Sequence, residues 1–149
     1  MEFEILQAFD CILRFISPGI NLTPAQIQLW RQIFLDTLYH KYQNHWTPEN
    51  PYQGNGFRSL TVFNGEVDPI LLNTAEKAGI NLDQLSVALP REFVVWVDPY
   101  SVSYKVGDNA SIVAHWEDYS RGKLAQIIKQ RHENSVKVVL KTPEGINSD

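Results

Sequence analysis

The sequence predicts an α+β domain in which antiparallel helices pack on a small β-sheet that includes a hairpin. Three observations predict it. Apolar residues recur at three- and four-residue steps along residues 3–42, short apolar or alternating runs follow residue 57, and the order is helices, strand, helices, strands without an internal repeat. At 149 residues, with 44% hydrophobic and 20% charged content, the chain is long enough for one domain with a core and has an ordinary globular composition.

Phe3, Leu6, Phe9, Leu13 and Ile16 form the stripe of a first helix, with Ile5 and Ile12 beside it, and Ser17-Pro18-Gly19 stops it. Thr23-Pro24 reads as N-cap and first residue of a longer helix with Ile27, Trp30, Ile33, Phe34, Leu38 and Tyr42 on its apolar side. Residues 44–56 form a Pro- and Gly-rich loop that also carries aromatics. Phe57 to Phe63 is strand-like, and Asn64-Gly65 is a turn. Asp68-Pro69 opens a helix ended by Gly79, and Asn81 caps a short one that Pro90 terminates. Phe93 to Val97 is a strand, and Ser101–Val106 with Ser111–Trp116 makes a hairpin. Residues 118–132 read as a helix and Val136–Leu140 as a short strand.

The chemistry is mostly bounded by what is missing. His40 and His45 are off the i, i+4 helical spacing and there is one cysteine, so no metal site is expected and no cofactor is implied. Cys11 falls on an apolar helix face as a small hydrophobe. Ser101 and Ser103 lie in no nucleophile elbow, and Gly54-Asn55-Gly56 lacks the Lys-Ser/Thr of a phosphate loop. No catalytic constellation is present, so the expectation is a protein that is not an enzyme. No apolar run reaches membrane-spanning length and no signal-like segment opens the chain, which points to an intracellular protein; the two Asn-x-Ser/Thr sequons, at Asn21 and Asn109, read as turn or cap residues.

What remains is aromatic. Trp30 belongs to a core stripe, Trp46 pins the Pro-rich loop, and Trp116 fits core or surface equally. Trp96 is different. In an extended chain Trp96 and Asp98 project to the same face, so a strand otherwise apolar on both sides carries an acid beside its tryptophan. That combination points to a face open to water or to a partner, although a turn role also accounts for an acid before Pro99.

Two segments carry a resemblance. Tyr42-Gln43-Asn44-His45-Trp46-Thr47-Pro48-Glu49-Asn50-Pro51 with Gly54-Asn55-Gly56-Phe57-Arg58 is one. Leu89-Pro90-Arg91-Glu92-Phe93-Val94-Val95-Trp96-Val97-Asp98-Pro99-Tyr100-Ser101-Val102-Ser103-Tyr104-Lys105-Val106-Gly107 is the other, and Val67-Asp68-Pro69-Ile70 lies between them. In order and spacing the chain resembles the BTG/Tob antiproliferative family from about Phe3 to Glu117. The resemblance implies a BTG-like domain over residues 1–117 that is a non-enzymatic adaptor. Such domains bind the Caf-type deadenylase subunit of the Ccr4–Not complex, promote mRNA deadenylation and translational repression, and restrain proliferation or direct cell fate. By position, the protein-binding residues are Trp96, Asp98, Phe57 and Tyr100, with Phe57 standing where the family usually has Tyr. His45, Trp46, Pro48 and Asp68 are the structural residues of the boxes. The implied location is cytoplasmic, nuclear or both.

Residues 118–149 do not resemble the further motifs through which some members contact poly(A)-binding protein. They form a basic extension. Residues 120–149 hold 6 Lys and Arg against 3 Asp and Glu, while residues 1–119 hold 7 against 14. Two readings stand for Arg121, Lys123, Lys129 and Arg131: a solvated helix face, or a contact with RNA or a partner. The second gives an alternative function, a regulator that assembles into a homo-oligomer or binds RNA or RNA-binding proteins through this extension.

Overall fold

The structure, a computed structural model, describes residues 1–118. Helices α1 (Glu2–Arg14) and α2 (Pro24–Tyr42) precede strands β1 (Ser59–Phe63) and β2 (Glu66–Val67). Helices α3 (Pro69–Lys77) and α4 (Leu82–Ala88) follow, then β3 (Phe93–Asp98), β4 (Ser101–Val106) and β5 (Val113–Glu117). The sheet is antiparallel throughout, in the order β2-β1-β3-β4-β5. It is an α+β domain, as the patterning predicts.

Local chemistry accounts for the boundaries. Thr23 forms a capping box with Gln26, and Pro24 occupies the first turn of α2, where its missing N–H costs nothing. Asp68 caps α3 by accepting from the Ile70 N–H, and its second oxygen accepts from Thr61 on β1. Asn81 caps α4 through the Gln84 N–H. Asn64 and Gly65 both take positive φ, 51° and 79°, the requirement of the tight turn joining β1 to β2. β2 itself was not expected, because two residues are too few to show alternation.

Alternation along the strands separates two faces. Leu60, Val62, Phe93, Val95, Val97, Val102 and Tyr104 are buried, and all four helices contribute to the core they enter. Phe9 joins α1 to α2, its ring centroid 5.1 Å from Trp30 and 5.2 Å from Phe34. Trp30 is fully buried and donates its indole N–H to Thr74 Oγ1 at 3.0 Å, so its polar edge is satisfied.

One expectation about α1 is corrected. Its buried face is Glu4, Ile5, Ala8, Phe9, Cys11 and Ile12, while Phe3 is half exposed and Leu6 and Leu13 only partly covered. The inward stripe is rotated toward Ile5 and Ile12. It includes a carboxylate: Glu4 accepts from the Tyr100 backbone N–H at 3.1 Å and pairs with the Met1 ammonium at 3.1 Å. An acid is rarely buried unless partnered, and sequence periodicity does not reveal such partners.

Cys11 is buried, and burial pushes its thiol up to about 12, against a smaller opposing pull from Arg14. Thiolate is the reactive form. Thiol reagent added to the native protein at about pH 8 should therefore leave Cys11 unmodified, and one equivalent should react once the chain is unfolded. Fast labelling before unfolding, read by absorbance or mass, would contradict this placement.

Candidate protein-docking site

The face of the sheet away from the helices is read from the strand register. Trp96 pairs with Ser59 on β1 and Ser103 on β4, and Ser103 pairs with Ala114 on β5. The next row on the same face is Thr61, Val94 and Lys105. Trp96 thus sits among small and polar neighbours and is half-buried. The two best-formed hollows among the described residues lie elsewhere, beside Phe3 and Tyr39 and beside Ile20 and Val87. Among the described residues no three of His, Cys, Asp and Glu gather in a way that could hold a metal, and no helix is long and apolar enough to cross a membrane.

Asp98 overturns the expectation of an open face at that position. It is 3% exposed, and its Oδ1 accepts from Arg58 Nη2 at 2.9 Å. Arg58 is wholly buried, and its donors are all used. Nε donates to Val97 O at 2.6 Å, Nη1 to His45 O and Gln53 O at 2.7 and 2.8 Å, and Nη2 to Pro51 O at 2.8 Å besides Asp98. A guanidinium has five N–H groups in a rigid fork, and here each finds an oxygen. The conflict that the sequence shows between Trp96 and Asp98 is settled inside the chain, by a cation from the far side of the first box.

The loop of residues 43–58 is wrapped on this cation. Trp46 lies with Arg58 Cζ 5.3 Å from its ring centroid, and its ring stacks on Tyr42 at 6.5 Å with planes 13° apart. The Tyr42 hydroxyl donates to Arg58 O at 2.9 Å, and burial pushes its pKa upward, so it stays a donor. Gly54 takes φ of 77°, and a Cβ built there would lie 3.2 Å from Arg58 Nη1, so both backbone and space favour glycine. Trp46 thus packs on both Tyr42 and Arg58. Pro48 is partly covered in the same loop, and Asp68 is a helix cap.

Phe57 and His45 stand on the outside. Phe57 is 43% exposed, its ring 4.2 Å from that of His45 and 4.6 Å from the Lys41 ammonium. It lies two residues before Ser59, the register partner of Trp96. Tyr100 is half-buried at the β3–β4 turn with φ of 68°, a left-handed conformation that costs a non-glycine residue about 1 kcal/mol. The Glu4 carboxylate holds its backbone N–H there. Arg121, Lys123, Lys129 and Arg131 lie outside the described residues.

Sequence reasoning missed Arg58 and Glu4. Parity gave a signal for the first: Arg58 shares its alternation with Leu60 and Val62, which face inward, and a buried Arg must be paired.

The chain is an α+β domain with one helix-covered face and an aromatic on the other, set beside a cation-anchored loop. The chain belongs to the BTG family, whose profile matches residues 1–116. It is 33% identical to protein BTG1 of Rattus norvegicus over 123 residues, covering 83% of this chain and 71% of that one. It is 37% identical to rat protein BTG2 over 115 residues, 77% of this chain and 72% of that one. Rat protein Tob1 is 30% identical over 131 residues, 87% of this chain but 35% of Tob1. Among solved structures, the BTG/Tob domain of C. elegans FOG-3 superposes with a TM-score of 0.69 at 16% identity, over 79% of this chain and 91% of that one, a likeness of fold. Family membership makes the chain an antiproliferative regulator.

Replacing Arg58 by Met should lower the unfolding free energy by about 3–5 kcal/mol, because it strands the Asp98 carboxylate and four carbonyls. Arg58→Lys should restore little, since an ammonium cannot span five acceptors. Urea denaturation measures both. A loss under about 1 kcal/mol for Arg58→Met would show that the loop is held by something else.

Proposed function

We propose that this protein is a non-enzymatic adaptor that binds the Caf-type deadenylase of the Ccr4–Not complex and so promotes mRNA deadenylation and translational repression, in the cytoplasm, the nucleus or both. The observation that carries the reading is Trp96, a half-buried aromatic on the face of β3 turned away from the helices. Tryptophan is enriched where interfaces concentrate their energy, and its exposed part is apolar area that a partner can remove from water.

The surroundings support docking by a preformed surface. Arg58 fixes the first-box loop against the ends of β1 and β3, so little ordering remains to be done on association. Phe57, with His45 and Lys41 against it, supplies a second exposed ring at the margin of the same face. Asp98 acts in this reading through Arg58 and the loop, not by touching the partner. Tyr100 lies half-buried at the hairpin tip, where Glu4 holds its backbone N–H.

Trp96→Ala should abolish deadenylase capture, a loss of about 2 kcal/mol or more, while stability falls by only about 1 kcal/mol. Asp98→Ala should weaken capture and stability together, because it leaves Arg58 buried without its anion. Titration calorimetry with the purified deadenylase, beside thermal denaturation, separates the two. Undiminished binding by a folded Trp96→Ala protein would refute the reading.

A further inference from the structure

Among the described residues six positions take positive φ, and five of them are Gly or Asn: Gly54, Asn64, Gly65, Gly79 and Gly107. The sixth is Tyr100, at 68°. Its setting adds to the cost. Asp98 and Ser101 pair across the hairpin, so Pro99 and Tyr100 make up the whole loop between β3 and β4. The proline ring fixes Pro99 at negative φ, and a positive φ directly after it is the pattern of a type II turn, whose second central position asks for Gly. A two-residue hairpin also prefers the mirror-image turns, whose twist matches that of its strands. A bulky residue persists in such a conformation only where its surroundings over-determine it, and positions of this kind cluster at functional sites.

The surroundings do over-determine it. The Tyr100 N–H donates to Glu4 Oε2 at 3.1 Å, and its carbonyl accepts from the Asp118 N–H at 2.9 Å. Glu4 comes from the first turn of α1 and is buried, with its other oxygen 3.1 Å from the Met1 ammonium. A carboxylate at that depth is costly unless its oxygens are met, whereas an N–H at a hairpin tip can be met by water. On the other side of Pro99, Arg58 holds Asp98. The tip is therefore anchored twice, from α1 through Glu4 and from the first-box loop through Arg58, and Trp96 lies just beyond Asp98 on the same strand.

We infer, on the docking reading above, that Glu4 is a positioning residue of the docking face: its buried carboxylate holds Tyr100 in the left-handed conformation from which the Tyr100 side chain contributes to partner binding. Glu4 itself does not touch the partner. Glycine would take this turn without strain and would need no acid to hold it. A tyrosine kept there, with a buried carboxylate from the other end of the domain to fix it, is accounted for by use of its side chain. The inside of the domain thereby sets the shape of its docking face at the tip, as Arg58 does at the loop.

Titration calorimetry of the full chain with the purified deadenylase tests this as a double-mutant cycle, with urea denaturation in parallel. Tyr100→Gly and Glu4→Ala should each weaken docking by about tenfold. The double variant should bind no more weakly than Tyr100→Gly alone, because Glu4 acts only through the side chain already removed. Glu4→Gln, whose amide oxygen can still accept the N–H, should keep most of the affinity. In urea, Tyr100→Gly should be more stable than Tyr100→Ala, the reverse of the usual order, since only glycine takes this φ without strain. Wild-type affinity in Tyr100→Gly overturns the inference even if Glu4→Ala fails to fold. So do losses that multiply in the double variant, which would make Glu4 a general support of the fold. Trp96→Ala, titrated alongside, keeps the two readings apart: if it binds undiminished, the docking reading itself fails, and if it alone loses binding, only the role of Glu4 does.

Discussion

The loop that borders the candidate docking face depends on one buried cation. Arg58 gathers carbonyls from the loop at His45, Pro51 and Gln53, a carbonyl of β3 at Val97, and the Asp98 carboxylate. A charge taken from water at this depth is tolerated only when each donor is met, and here each is. The same bonds that make burial tolerable also give the loop its shape, because the loop's carbonyls have no ladder of their own to enter. Trp46 and Tyr42 close over the assembly, so these two rings of the first box are its lid.

That arrangement explains how Trp96 stands out on a sheet that is otherwise ordinary. β3 is apolar on both faces, which normally means burial on both. Its inner face meets α1 and the core, while on its outer face the cross-strand neighbours of the indole are Ser59 and Ser103. The end of that outer face, where Asp98 lies, is sealed by the Arg58 loop, so the aromatic area is bounded on one side by a rigid rim. A bounded, rigid apolar area favours a shape-matched protein surface over general adhesion.

Much of the fold was legible in the sequence where the determinant is local. The caps at Thr23, Asp68 and Asn81, the turn at Asn64-Gly65, the apolar run of β3 and the alternation of β4 are each written within a few adjacent residues. What stayed hidden was long-range. Arg58 and Asp98 are forty positions apart and Glu4 and Tyr100 ninety-six, and no period or cap signal links such pairs. Asp98 therefore read as an open-face or turn residue when its cation was simply elsewhere in the chain. Trp96 was legible as the distinctive residue because its neighbours in sequence made it so; its half-exposure comes from its neighbours across the strands.

Of the five oxygens that Arg58 meets, four belong to the backbone. A backbone acceptor is indifferent to the side chain that follows it. The identities at His45 and Gln53 can therefore change without loosening the anchor, whereas Gly54, Arg58 and Asp98 cannot. The loop is in this sense a fixed frame with rewritable lettering. Descendants of such a chain could alter the outer margin of the candidate docking face while inheriting the same rigid support.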